Sequence, residues 1–123
     1  MFSVKVMRSA HNAVLQCHGR LVRSDAAYRL RDAVTGESAK VVVLDFSDVT
    51  AVGGGGLGML VFLQRWTGDN GIRLQLFNPS LAVLQNLLRA EAVCEFEIIS
   101  PTNFLNLLGC YENQSAAPVS VAA

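Results

Sequence analysis

Val41-Val42-Val43-Leu44 places four large apolar residues in a row with no polar alternation. A strand made from such a run shows apolar side chains on both faces, which suits the middle of a sheet covered on both sides, as parallel strands between helices are. The run therefore predicts a central strand, and every other element has to be arranged beside it. With 123 residues there is room for one core and not two. The 51% of hydrophobic residues can fill that core, and 16% of charged residues is too few for a solvated, disordered chain.

Upstream of the run, Phe2, Val4 and Val6 alternate with Ser3, Lys5 and Met7, the period of a half-covered strand. His11-Asn12-Ala13 can turn the chain, and Val14 to His18 then predicts a second strand, antiparallel to the first. Ser24 is placed to cap a helix carrying Ala27, Leu30 and Val34, and Gly36 suits a left-handed residue after its end. Downstream, the polar stretch Asp45 to Thr50 predicts a turn, and four glycines, Gly53 to Gly56, lead into a helix over Leu57 to Trp66. Arg73 to Phe77 predicts a strand, and Ser80 a cap for a helix from Leu81 to Ala90 with Leu81, Leu84 and Leu88 on one face. Phe96, Ile98 and Ile99 suggest a last strand, and Ser100-Pro101 opens a fourth helix with Phe104, Leu107 and Leu108. The order ββαβαβαβα implies an α/β fold: a mostly parallel sheet with an antiparallel N-terminal hairpin, packed against helices.

Several function classes are disfavoured by the same residues. Ten Lys+Arg balance ten Asp+Glu, so there is no excess positive charge for DNA or RNA. The longest strongly apolar stretch, Leu57 to Leu63, is far below the roughly 20 residues of a membrane span. Residues 1–7 lack the continuous apolar segment of a signal peptide, so a cytoplasmic location without membrane insertion is expected. Cys17, Cys94 and Cys110 are odd in number and widely spaced, and neither His11 nor His18 has a ligand partner at metal-binding spacing. No metal, no cofactor and no catalytic residues are expected, since no nucleophile elbow or paired-carboxylate motif occurs.

The glycine run remains to be explained. Four glycines cost conformational entropy, so the backbone there needs positive φ angles or must approach something bulky. A strand, glycine loop and helix N-terminus in sequence can also hold a phosphate, but no Lys-Ser or Lys-Thr follows Gly56. The helix itself shows two apolar stripes: Leu57, Leu60 and Val61 on one side, and Met59, Phe62, Leu63 and Trp66 on another. One stripe faces the sheet, while the other packs on neighbouring helices or offers a surface to a partner or to a second copy.

Gly19-Arg20-Leu21, Val42 to Thr50, Gly56-Leu57-Gly58, Gly71-Ile72-Arg73-Leu74 and Asn78-Pro79-Ser80, in this order and spacing, resemble the anti-sigma-factor antagonist and sulphate-transporter domain, the STAS family. The resemblance runs from Phe2 to Leu108 and implies a STAS-like domain over residues 1–110, while the small and polar residues from Asn113 onward, which would recover little burial, predict a flexible tail over 111–123. It implies a regulatory module that binds a protein partner, in the antagonists a kinase that doubles as an anti-sigma factor. The partner surface it implies comprises Ser24, Asp25, Gly53, Gly54, Gly55, Gly56, Leu57 and Met59. Members switched by phosphorylation carry Asp-Ser-Ser-Gly or Asp-Ser-Thr-Gly where this chain has Gly53 to Gly56, so Gly54 and Gly55 occupy the hydroxyl positions. Without an oxygen there, an added charge of about −2 cannot act as the switch. Ser47 and Thr50 are nearby hydroxyls expected to bond locally as turn devices. A STAS subunit of a membrane transport complex and a small-ligand or nucleotide sensor built on the glycine loop are the alternative readings.

Overall fold

The computed structural model describes residues 2–89 and 96–99. The elements are β1 (Ser3–Arg8), β2 (Asn12–Leu21), α1 (Ser24–Thr35), β3 (Val41–Val52), α2 (Gly54–Asp69), β4 (Arg73–Phe77), α3 (Leu81–Arg89) and β5 (Glu97–Ile99). They form one five-stranded sheet in the order β1-β2-β3-β4-β5. β1 and β2 are antiparallel, and every later pair is parallel. The hairpin, the central position of β3 and the mostly parallel sheet follow the sequence pattern. The fourth helix and the tail fall outside the described residues.

Because each crossover steps to the next strand in one direction, the right-handed rule puts α1, α2 and α3 on a single face. Ala26, Leu30 and Val34 of α1, Leu60 and Leu63 of α2, and Val83 and Leu87 of α3 join Ala13, Leu15, Val42, Leu44, Phe46, Leu74 and Leu76 in the main core. Val14, Val43, Phe77 and Ile99 are buried on the opposite face, with Met7 and Val41 packed against them. The unbroken run 41–44 is thus apolar on both sides for the reason expected, although the described helices cover only one of them.

Several local expectations are corrected. Asp45 to Thr50 is not a turn but the second half of β3, held because Phe46, Val49 and Val52 point into the core. Its polar residues are accommodated by two register shifts against β2, between Gln16 and His18 and between Gly19 and Arg20, where β3 carries an extra residue each time. Gly19, at φ 109, supplies the backbone freedom for the second shift. Ser24 is the first residue of α1 and does not cap it: Arg23 is the N-cap and makes no side-chain cap bond. Gly36 is right-handed at φ −81, because its N–H closes back on the Asp32 carbonyl in a tight last turn. In α3 the core face is Val83 and Leu87, while Leu81 and Leu88 are exposed. Ser80 does cap that helix, its Oγ accepting from the Val83 N–H at 3.3 Å.

Candidate functional site

α2 begins at the C-terminal end of the parallel strands, where open α/β sheets gather their binding residues. Gly53 is its N-cap, extended at φ −101 and ψ −171, and its N–H donates to the Leu21 carbonyl at 3.0 Å. Gly54, Gly55 and Gly56 already belong to the first turn of the helix, and the Leu57 N–H returns to the Gly53 carbonyl at 2.8 Å. None of the four has a positive φ; among the described glycines only Gly19 and Gly71 do. The run is explained instead by close approach, and only in part.

A β-carbon on Gly56 would lie 2.1 Å from the Leu21 carbonyl oxygen and 2.8 Å from Leu21 Cγ. Gly56 therefore lets α2 sit directly on the end of β2. A β-carbon on Gly53 would meet Val22 Cγ1 at 2.9 Å, and one on Gly55 the Val22 carbonyl oxygen at 3.2 Å. Gly54 and Gly58 have nothing within 4 Å of that position. Gly54, Gly55 and Gly58 are exposed, Gly53 is half-buried and Gly56 is buried.

The two apolar stripes of α2 do not divide as the sequence suggests. Leu60 and Leu63, one from each stripe, face the core with Gly56 and Thr67, because Gly56 sets which side of the helix approaches β2. Leu57 and Met59 are half-buried against this core, and Phe62 is 47% exposed. Ser24 and Asp25 are exposed in the first turn of α1, joined to the glycine turn through Val22. The structure thus brings the starts of α1 and α2 side by side, with Gly56 beneath the surface.

Of the nearby hydroxyls, expected to bond locally as turn devices, Ser47 does so, whereas Thr50 bonds across to β2 from within β3. Ser47 Oγ donates to Asp45 Oδ1 at 2.6 Å, the same oxygen that accepts from the Ser47 N–H at 2.9 Å. Thr50 Oγ1 donates to the Gly19 carbonyl at 3.4 Å. Cys17 is buried in β2, and desolvation, reinforced by the Asp45 charge, pushes its thiol up to about 12, so it is held as an unreactive thiol.

Sequence reasoning missed a hollow beside this turn. Phe2, Arg20, Val22, Arg23, Asp25, Ala26 and Arg29 line a cavity of about 420 Å³. Its signal was the closeness of Arg20, Arg23 and Arg29 along the chain, which a balanced overall charge conceals.

The STAS domain family matches residues 6–104. The chain belongs to the STAS domain family. Among solved structures of similar fold is the anti-sigma factor antagonist SpoIIAA in its unphosphorylated form, 16% identical with a TM-score of 0.66, covering 88% of this chain and 96% of the other. The Bacillus cell fate determinant SpoIIAA in its phosphorylated form is 14% identical with a TM-score of 0.65, covering 88% of this chain and 99% of the other. A structure named Mglu is 23% identical with a TM-score of 0.57, but the match spans 63% of this chain and 20% of that one. No curated protein matches the chain. Among the described residues, no helix of this STAS domain is long and apolar enough to cross a membrane.

Proposed function

We propose that this STAS domain is a non-catalytic regulatory module that docks a protein partner on the start of α2, as an anti-sigma-factor antagonist does, without a phosphorylation switch at residues 53–56. The observation that carries the reading is the first turn of α2, where Gly54 and Gly55 are exposed and offer no hydroxyl. The docking face consists of Ser24 and Asp25 on α1 and of Gly53, Gly54, Gly55, Leu57 and Met59 at the start of α2, with Gly56 setting its depth. A bare first turn lets a partner approach the backbone closely. The likeness of fold to SpoIIAA supports this, as do the hydrogen bonds of Ser47 to Asp45 and of Thr50 to the Gly19 carbonyl, which give both hydroxyls a structural role. The partner that fits is an anti-sigma factor with serine-kinase activity.

The test is capture of partners from lysate of the source cells with ATP present, followed by mass-spectrometric mapping of phosphate on the chain. The expected result is a retained kinase or anti-sigma protein and no phosphate on residues 47–57. Phosphate on Ser47 or Thr50 with release of the partner would overturn the unswitched reading, and recovery of transporter subunits would assign the domain to a membrane complex.

A further inference from the structure

The hollow between the end of β2 and the start of α1 has a two-sided chemistry. Phe2, Val22 and Ala26 form an apolar wall, and Arg20, Arg23 and Arg29 contribute three positive charges against the single carboxylate of Asp25. Elsewhere Arg8 holds Glu37, Arg31 holds Asp32, Arg73 holds Glu97 and Arg89 reaches Asn86 at 3.5 Å, while Arg65 has no side-chain partner among the described residues but does not line the hollow. The side chains of Arg20, Arg23 and Arg29 have no hydrogen-bond or ion-pair partner among the described residues. Asp25 lies in the first turn of α1, where a carboxylate is favoured by the helix dipole, and so it needs no arginine. Three unpaired guanidiniums around one concavity repel one another, and the species that relieves this is an anion able to accept several N–H bonds at once.

We propose that this hollow binds a small phosphate-bearing ligand, with the phosphate among Arg20, Arg23 and Arg29 and an apolar body against Phe2, Val22 and Ala26. A cavity of about 420 Å³ exceeds what a bare phosphate fills and lies within the range of small-molecule sites. The site is separate from the glycine turn, where the Gly53 N–H is already given to Leu21 and Gly56 is buried. Val22 joins the two: it lines the hollow and also touches Gly53 and Gly55. A bound ligand therefore sits directly behind the face assigned to the partner, and the binding itself does not depend on that assignment.

The test is an NMR titration of the ¹⁵N-labelled chain with inorganic phosphate and with phenyl phosphate, against chloride at matched ionic strength. Saturable shifts are expected for the amides of Arg20, Val22, Arg23, Asp25, Ala26 and Arg29, with phenyl phosphate binding at least about threefold tighter because it covers the apolar wall. The double variant Arg23→Ala/Arg29→Ala should weaken binding by ~10-fold or more, as two charge-assisted bonds are lost, while its spectrum elsewhere stays unchanged because both side chains are exposed. Asp25→Asn should tighten binding by removing the opposing charge. Shifts that fail to saturate, that chloride reproduces, that centre on residues 53–57, or that survive the double variant would overturn the proposal.

Discussion

Gly56 and Gly58 stand two residues apart on α2, and they are glycines for opposite reasons. At Gly56 the end of β2 occupies the place of a side chain, so the fold alone demands the residue. At Gly58, as at Gly54 in the turn before, there is open space, and a glycine inside a helix costs roughly 0.5–1 kcal/mol relative to alanine. Packing explains the first kind and offers no reason for the second. The contrast teaches that a glycine run is not one device: its inner members seat the helix, and its outer members leave bare backbone at a surface.

Substitutions should separate the two kinds, beginning with the largest effect. Gly56→Ala should destabilise the domain by about 2–3 kcal/mol, because the carbonyl of Leu21 is backbone and cannot swing aside. An unchanged denaturation midpoint would break the comparison at its root. In the same variant the Cys17 thiol should be alkylated faster than in the wild type, since it lies on β2 in the core that Leu21 closes; mass spectrometry of the peptide reads this directly. Gly53→Ala should cost less, about 1 kcal/mol, as its neighbour is a Val22 methyl that can shift and its backbone is extended.

Gly58→Ala should act in the other direction and raise stability by roughly 0.5–1 kcal/mol. A loss of stability there would mean that the outer glycines are structural after all. The smallest effect is expected far from the turn. Arg73, by hydrogen bonding, holds the Glu97 carboxyl below its ordinary value, although Arg73 is exposed and Glu97 only half-buried. Its folded pKa lies under its unfolded one, so the contribution is complete above roughly pH 4.3 and is lost as pH falls through the lowered value. Screening by solvent keeps it to a few tenths of a kcal/mol. Acid unfolding should show this same increment in the wild type and in Gly58→Ala, which makes it an internal control for the comparison.

Much of the fold was legible because apolar periodicity is read locally. The alternation from Phe2 to Met7, the unbroken 41–44 run and the Ser80 cap each need only their own neighbours. The second half of β3 was not legible: Asp45, Ser47, Asp48 and Thr50 have turn chemistry, and the burial of Phe46, Val49 and Val52 together with pairing to β2, through two register shifts, holds them in a strand. The α3 face was misplaced because Leu81, Leu84, Val83, Leu87 and Leu88 offer two apolar stripes, and only the position of the sheet chooses between them. At the site, the glycines were visible as unusual, but their division into inner and outer members depends on Leu21 and Val22, more than thirty residues upstream. The arginine hollow was hidden for a similar reason, since Arg20 belongs to a strand and Arg29 to a helix, and the turn between them brings their side chains around one cavity.

The central claim, that the outer glycines are kept bare for a partner, is tested most directly by isotope-ratio capture from source-cell lysate with wild type and Gly54→Arg. The open space at Gly54 admits the new side chain without disturbing the fold, which the denaturation midpoint can verify. The account predicts a partner retained by the wild type and reduced at least ~10-fold with Gly54→Arg. Equal recovery of the same proteins by both would contradict it.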